Sequence, residues 1–143
     1  MSRQRLTVAK VGGSLYDLAD LGLRLERWLE VCGQRCDVLV PGGGAAADVV
    51  RDLDRRHGLG EETSHWLAMQ ALSLNASFLQ GLLPFSQIVH DLAGCRHAWR
   101  AGRVPVLDPF DFACVDEPAH PNAAVPHTWS ATSDAVAARV AEA

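Results

Sequence analysis

The sequence predicts an α/β protein, a three-layer α/β/α arrangement around a mainly parallel sheet. Two short β-branched runs, Leu6-Thr7-Val8-Ala9-Lys10-Val11 and Asp37-Val38-Leu39-Val40-Pro41, each end in glycines, Gly12-Gly13 and Gly42-Gly43-Gly44. Each glycine turn leads into a run whose apolar residues recur at helical spacing. Strand, glycine turn and helix, twice over, is the pattern of parallel strands joined by right-handed crossovers.

The elements follow in order. Leu6 to Val11 is a buried strand stopped by glycine, and Ser14, with Asp17 three residues on, is placed to cap the helix after it. Leu18, Leu21, Leu25, Trp28 and Leu29 share one face of that helix. The second helix runs from Ala45 to His57, with Val49, Val50 and Leu53 as its buried stripe and Asp48/Arg51 and Asp52/Arg56 on an exposed face. Glu61 to Gln80 contains no breaker and is apolar most of the way round, so it is buried on several sides, either as a core helix or as a homodimer contact through residues 61–80. Ser86 to Val89 is a third strand, Asp91 caps a short helix to Ala101, and Val104 to Leu107 is a further strand. Asp108 to His127 has no sustained period and reads as a loop with a short extended piece. Val136, Ala137, Val140 and Ala141 mark a closing helix, capped by Thr132 or Ser133 with Asp134 in its first turn.

At 143 residues the chain is expected to form one domain over residues 1–143. With 48% hydrophobic and 21% charged residues and a net charge of -4, it has an ordinary globular composition. Its basic residues are dispersed, and the cluster from Arg51 to Arg56 is interleaved with Asp52 and Asp54, so a nucleic-acid partner is not expected. No signal-like segment and no apolar run of about 18 to 20 residues occurs, so a cytoplasmic chain without a membrane partner is expected. The four cysteines then read as thiols, because Cys32 and Cys36 lack a second tight pair.

Chemistry concentrates at the glycine turns. They end adjacent parallel strands, where open α/β sheets bind ligands, and each precedes a helix whose free N–H groups attract phosphate. A tight turn alone would explain either one; both together, with Lys10 at the end of the first strand, point to a phosphoryl group. Lys10 interrupts an apolar strand, and apart from a surface position a charge there needs a cleft or a partner. Neither a Walker P-loop nor a dinucleotide fingerprint is present, since the lysine precedes the glycines.

Lys-x-Gly-Gly-Ser at residues 10–14, Pro-Gly-Gly-Gly at 41–44 and Thr132-Ser133-Asp134-Ala135-Val136-Ala137-Ala138 together resemble the amino acid kinase superfamily, which includes acetylglutamate, aspartate and uridylate kinases. The run Trp129 to Asp134 is most similar to the aminomethylfuran phosphate kinase-like branch, which implies a place in C1-carrier cofactor synthesis. The resemblance implies the N-terminal, acceptor-binding portion of an amino acid kinase fold, with ATP and Mg2+ as cofactors and a small carboxylate, phosphate or phosphomonoester as acceptor. It implies catalytic roles for Lys10 and Asp134, and substrate binding by Gly12, Gly13, Ser14, Gly42, Gly43, Gly44, Thr132 and Ser133. Family members continue past the Thr-Ser-Asp helix into a nucleotide-binding half, usually with a second catalytic lysine, whereas this sequence ends at Ala143. The alternative expectation is therefore a non-catalytic acceptor-binding or dimerisation module.

His90, His97, His120 and His127 share no ligand spacing, so no metal site is expected, although His127 could line the acceptor pocket with Trp129. Asp108, Asp111, Asp116 and Glu117 are acidic loop residues and are not placed in the site.

Overall fold

The computed structural model describes residues 7–32, 38–127 and 133–142. Four short strands, β1 (Val8–Val11), β2 (Val38–Pro41), β3 (Ser86–Val89) and β4 (Val104–Leu107), form one sheet in the order β1-β2-β4-β3. Every pairing is parallel, with Lys10 opposite Val40 and Ile88 opposite Val106. Helices α1 (Leu21–Cys32), α2 (Gly44–His57), α3 (Glu61–Leu82), α4 (Leu92–Arg100), α5 (Pro109–Ala119) and α6 (Ser133–Glu142) surround it, as the α/β reading requires.

Alternation along the strands divides the apolar residues between two cores, because successive side chains point to opposite faces. Val38, Val40, Val89 and Leu107 pack with Cys95 and Ala98 of α4, Phe112 of α5, and Val136 and Val140 of α6. Leu39 and Val106 face the other way, against Leu21, Leu25 and Leu29 of α1. α3 serves both, through Met69 and Leu72 on one side and Ala76 and Leu79 on the other. A helix with that duty must be apolar most of the way round. Leu74, 62% exposed, and Phe78 are what α3 leaves outside.

Several expectations are corrected. Ser14 caps no helix: Gly12 is the cap position of a 3-10 turn over Gly13–Asp17, without a side-chain cap bond, and α1 starts only at Leu21. Trp28 and Leu18 stay exposed, and the buried stripe of α2 is Ala47 and Val50 instead of Val49, Val50 and Leu53. The small residue turns inward because α2 lies close against the glycine turn. The segment after Asp108 is a helix, α5, and a 3-10 turn over Pro121–Ala123, not a loop. Asp108 is its cap, accepting from the N–H groups of Phe110 and Asp111, and Pro109 takes the first helical position. That Asp-Pro pair is a helix-start signal that the aperiodic apolar residues conceal. Leu6, Asp37, Cys36, Trp129 and Thr132 lie outside the described residues. Among the described residues no helix is long and apolar enough to cross a membrane.

α6 is anchored by a buried ion pair: Arg139 Nε and Nη2 donate to Asp116 Oδ2 and Oδ1 of α5 at 2.8 and 2.7 Å. The two side chains are only 10% and 8% exposed, so the Arg139 charge depends on Asp116, which also lies beside His120. Arg139→Ala leaves the buried Asp116 carboxylate with the exposed His120, whose Nδ1 is 3.2 Å away, and is expected to lower stability by about 3–5 kcal/mol in urea unfolding; a loss under about 1 kcal/mol would show that the pair does not hold α6.

Candidate functional site

The two glycine turns meet backbone to backbone. A Cβ added to Gly13 would lie 2.2 Å from Gly44 N and 2.4 Å from Gly44 Cα, and one on Gly42 would lie 2.8 Å from both Gly13 N and Val11 O. Gly44 has φ +54°, a left-handed conformation that side chains disfavour. The contact places the N-terminus of α2 at the exit of β1. α2 has no side-chain cap bond and no acidic residue in its first turn, so the positive end of its dipole faces outward uncompensated.

Two side chains that the sequence reading passed over hold this floor. Asn75 of α3 is buried and donates through Nδ2 to the carbonyls of Gly42 and Gly43 at 2.7 and 2.8 Å. Tyr16 Oη donates to the Gly42 carbonyl at 2.8 Å, and burial pushes its pKa up to about 12. Neither has a spacing signature, because each acts through a carbonyl distant in sequence.

Lys10 and Asp134 come together as well. Lys10 Nζ lies 2.8 Å from Asp134 Oδ1, joining β1 to the first turn of α6 across 124 positions. Lys10 reaches this place because β1 alternation puts it on the face that α6 covers. Lys10, Gly13, Ser14, Gly43, Gly44, Ser133 and Asp134 line a single cleft of about 320 Å³. Gly42 supports it from behind, while a Cβ on Gly12 would meet nothing within 4 Å. Arg51 of α2 and His65, Met69 and Leu72 of α3 complete the wall. Two cations, a helix N-terminus and glycine amides at one end, with apolar side chains at the other, suit a small anionic ligand.

Beside the cleft, His127 lies between two carboxylates. Its Nδ1 is 2.8 Å from Glu62 Oε2 and its Nε2 is 2.9 Å from Glu117 Oε2. Burial alone would lower the His127 pKa, but the bonds to Glu117 and Glu62 outweigh it and raise the group above the usual histidine range. The His65 ring stacks on His127, with centroids 4.3 Å apart, and burial followed by the nearby His127 charge lowers the His65 pKa. Glu62 also accepts from Trp66 Nε1 at 3.0 Å. Glu117 is thus on a helix and paired, not a solvated loop acid. A second group, His90, Asp108 and Asp111, gathers near the ends of β3 and β4, with His90 Nδ1 2.6 Å from Asp111 Oδ2.

With this geometry, the fold and site define an α/β protein with a glycine-floored cleft, lined by Lys10 and Arg51, at the carboxyl ends of β1 and β2. No protein-family model matches the chain. Among curated proteins it is similar to the [5-(aminomethyl)furan-3-yl]methyl phosphate kinase of Methanocaldococcus jannaschii, 25% identical over 130 residues, which are 90% of this chain and 56% of that protein. The chain therefore spans about half the length of the curated relative it matches, and the similarity supports a distant, kinase-like relationship.

Two predictions test the floor. Gly13→Ala is expected to destabilise by about 1–3 kcal/mol or more, since backbone atoms must move. Gly12→Ala should stay within about 0.5 kcal/mol; equal melting temperatures for the two variants would mean that the turns do not touch. The second concerns pH. Tyr16 has a folded pKa of about 12, above its ordinary value of 10.0, so between these pH values the folded chain holds more protons than the unfolded one. Its contribution is therefore complete below pH about 10 and is lost as pH rises toward 12. Tyr16→Phe should flatten that decline in chemical unfolding, and an unchanged pH slope would rule out Tyr16 as its source.

Proposed function

We propose that the chain carries the acceptor and phosphoryl-transfer site of a small-molecule kinase, with ATP as donor and Mg2+ bound to the nucleotide. The observation that carries this reading is the Lys10–Asp134 contact at the meeting of the two glycine turns. Asp134 is 76% exposed on its side chain, and exposed ion pairs add little stability, so the pair is poorly explained as a structural brace. It is well explained as a device that aims an ammonium into an anion-binding cleft. The similarity to an aminomethylfuran phosphate kinase supports the same reaction class and makes a phosphomonoester the first acceptor to test.

Phosphoryl transfer asks little covalent chemistry of a protein, because catalysis is mainly positioning and charge stabilisation. An acceptor oxygen attacks the γ-phosphorus while the bond to the β-phosphate oxygen breaks. In this cleft Lys10 Nζ neutralises oxygens of the group in flight, and Asp134 sets the direction of Nζ. The amides at Gly13, Gly43 and Gly44 bind acceptor and phosphoryl oxygens, and Ser14 and Ser133 supply hydroxyls for the acceptor. Magnesium supplies charge neutralisation on the donor phosphates. The described cleft carboxylate, Asp134, is engaged by Lys10, which fits a metal that arrives with the nucleotide.

The test is ATP consumption with a panel of phosphomonoester, phosphate and carboxylate acceptors. Lys10→Ala is expected to lower kcat about 100- to 1,000-fold, the usual loss of one preorganised charge-stabilising group. Asp134→Asn should lower kcat more than it raises the acceptor KM. If calorimetry shows acceptor binding without nucleotide binding, the acceptor-binding module is the better reading; binding of neither ligand would defeat both. A homodimer through α3 is the accompanying proposal, resting on exposed Leu74 and Phe78, and sedimentation of Leu74→Asp against the parent decides it.

A further inference from the structure

The described residues include a buried imidazole nitrogen without a partner. His65 is 5% exposed, and its Nε2 has no hydrogen-bond partner among the described residues. A buried polar atom in that state is costly, and in a native fold a bound water or ion satisfies such a group. The same side chain belongs to a set of donors. His65, His127 and Glu117 each offer one ligand atom, and the three atoms lie within 4.8 Å of one another. They come from α3, from α5 and from the segment before α6, so no single element imposes the gathering.

From this arrangement we infer a binding site for a divalent transition-metal ion of the zinc class, ligated by His65, His127 and Glu117. Two imidazoles and a carboxylate form a ligand set with which zinc keeps a fourth position open, and imidazole selects such ions over magnesium or calcium. Around an ion with bonds of about 2.0–2.2 Å, ligand atoms stand roughly 3.3 Å apart. Contraction from the present spread requires the stacked His65 and His127 rings, whose planes are 17° apart, to turn out of their stack so that both lone pairs aim at one point.

The surroundings suit the ion in two further ways. Glu62 accepts from His127 Nδ1 and is itself held by Trp66 Nε1, the carboxylate–histidine arrangement that orients a ligating ring and leaves its other nitrogen for the metal. In charge, Glu62 and Glu117 supply two negative charges beside two imidazoles, which a dication balances. Glu62 is 69% exposed, so the site has an entrance from solvent, while His65 also lines the Lys10 cleft. A fourth position on the ion would take a water or an oxygen or nitrogen donor of a bound molecule. This site stands whether or not the chain transfers phosphoryl groups.

The test uses the full chain stripped with a chelator and titrated with zinc chloride by calorimetry, then with cobalt(II), whose visible absorption reports low-coordinate geometry and nitrogen ligation. One zinc per chain is expected, with a rise in melting temperature and an intense cobalt spectrum. His65→Gln and His127→Gln should each weaken binding more than about 100-fold, and Glu62→Gln about 10- to 100-fold as a supporting group. The surface variant His97→Ala should bind as the parent does. Failure of the folded parent chain to bind zinc with at least micromolar affinity would overturn the site, even if the histidine variants do not fold. Binding that survives in the His65→Gln/His127→Gln double variant would overturn it too. A pale octahedral cobalt spectrum would do the same, assigning the ion to surface carboxylates.

Discussion

Everything at the site depends on one contact between peptide backbones. Gly13 and Gly44 approach more closely than any Cβ would permit, so the exit of β1 and the start of α2 share one surface. The parallel pairing of β1 with β2 brings both turns to the same sheet edge, and the absence of side chains lets them close. Once they are closed, peptide N–H groups, the α2 dipole and Lys10 point into the same space. A larger residue at either place would separate β1 from α2 and open the floor.

α3 keeps that floor in register with the rest of the molecule. Asn75 ties it to the carbonyls of Gly42 and Gly43, Ser73 donates to Asp108 at the start of α5, and His65 and Glu62 meet the His127 cluster. One helix thereby refers the glycine floor, the β4 to α5 connection and the cluster to a single rigid body. Most of its polar residues are placed where they have partners, the buried Ser64 hydroxyl and the His65 nitrogen excepted, and its apolar residues fill both cores.

Positioning of Lys10 and Asp134 is divided between buried and exposed charges. Arg139 and Asp116, both buried, hold α6 against α5, and α6 in turn presents Asp134 to Lys10 in open solvent. The strong, desolvated pair does the anchoring. The weak, hydrated pair is left free to rearrange around an anion, because little stability is lost when Lys10 exchanges a carboxylate for another oxygen.

The four strands, the closing helix and the cap at Asp91 were legible locally, since short β-branched runs, glycine stops and capping residues act within a few positions. Lys10, the glycines and Asp134 were legible as a set through motif likeness, and the structure brings all but Thr132, which lies outside the described residues, to one region. α5 was missed because Phe110, Phe112, Val115 and two prolines obscure helical periodicity, and its stability comes from Asp116 and packing instead of from an amphipathic face. Which side of α2 is buried was misjudged for a related reason: proximity to a glycine turn admits Ala47 and excludes Val49. By itself, then, the sequence determined the α/β class, the strand positions and the glycine turns, all properties of neighbouring residues. Only the tertiary structure decided the backbone contact, the supports at Asn75 and Tyr16, and the meeting of His65, Glu117 and His127. Those depend on distances between segments tens of residues apart, which no local spacing encodes.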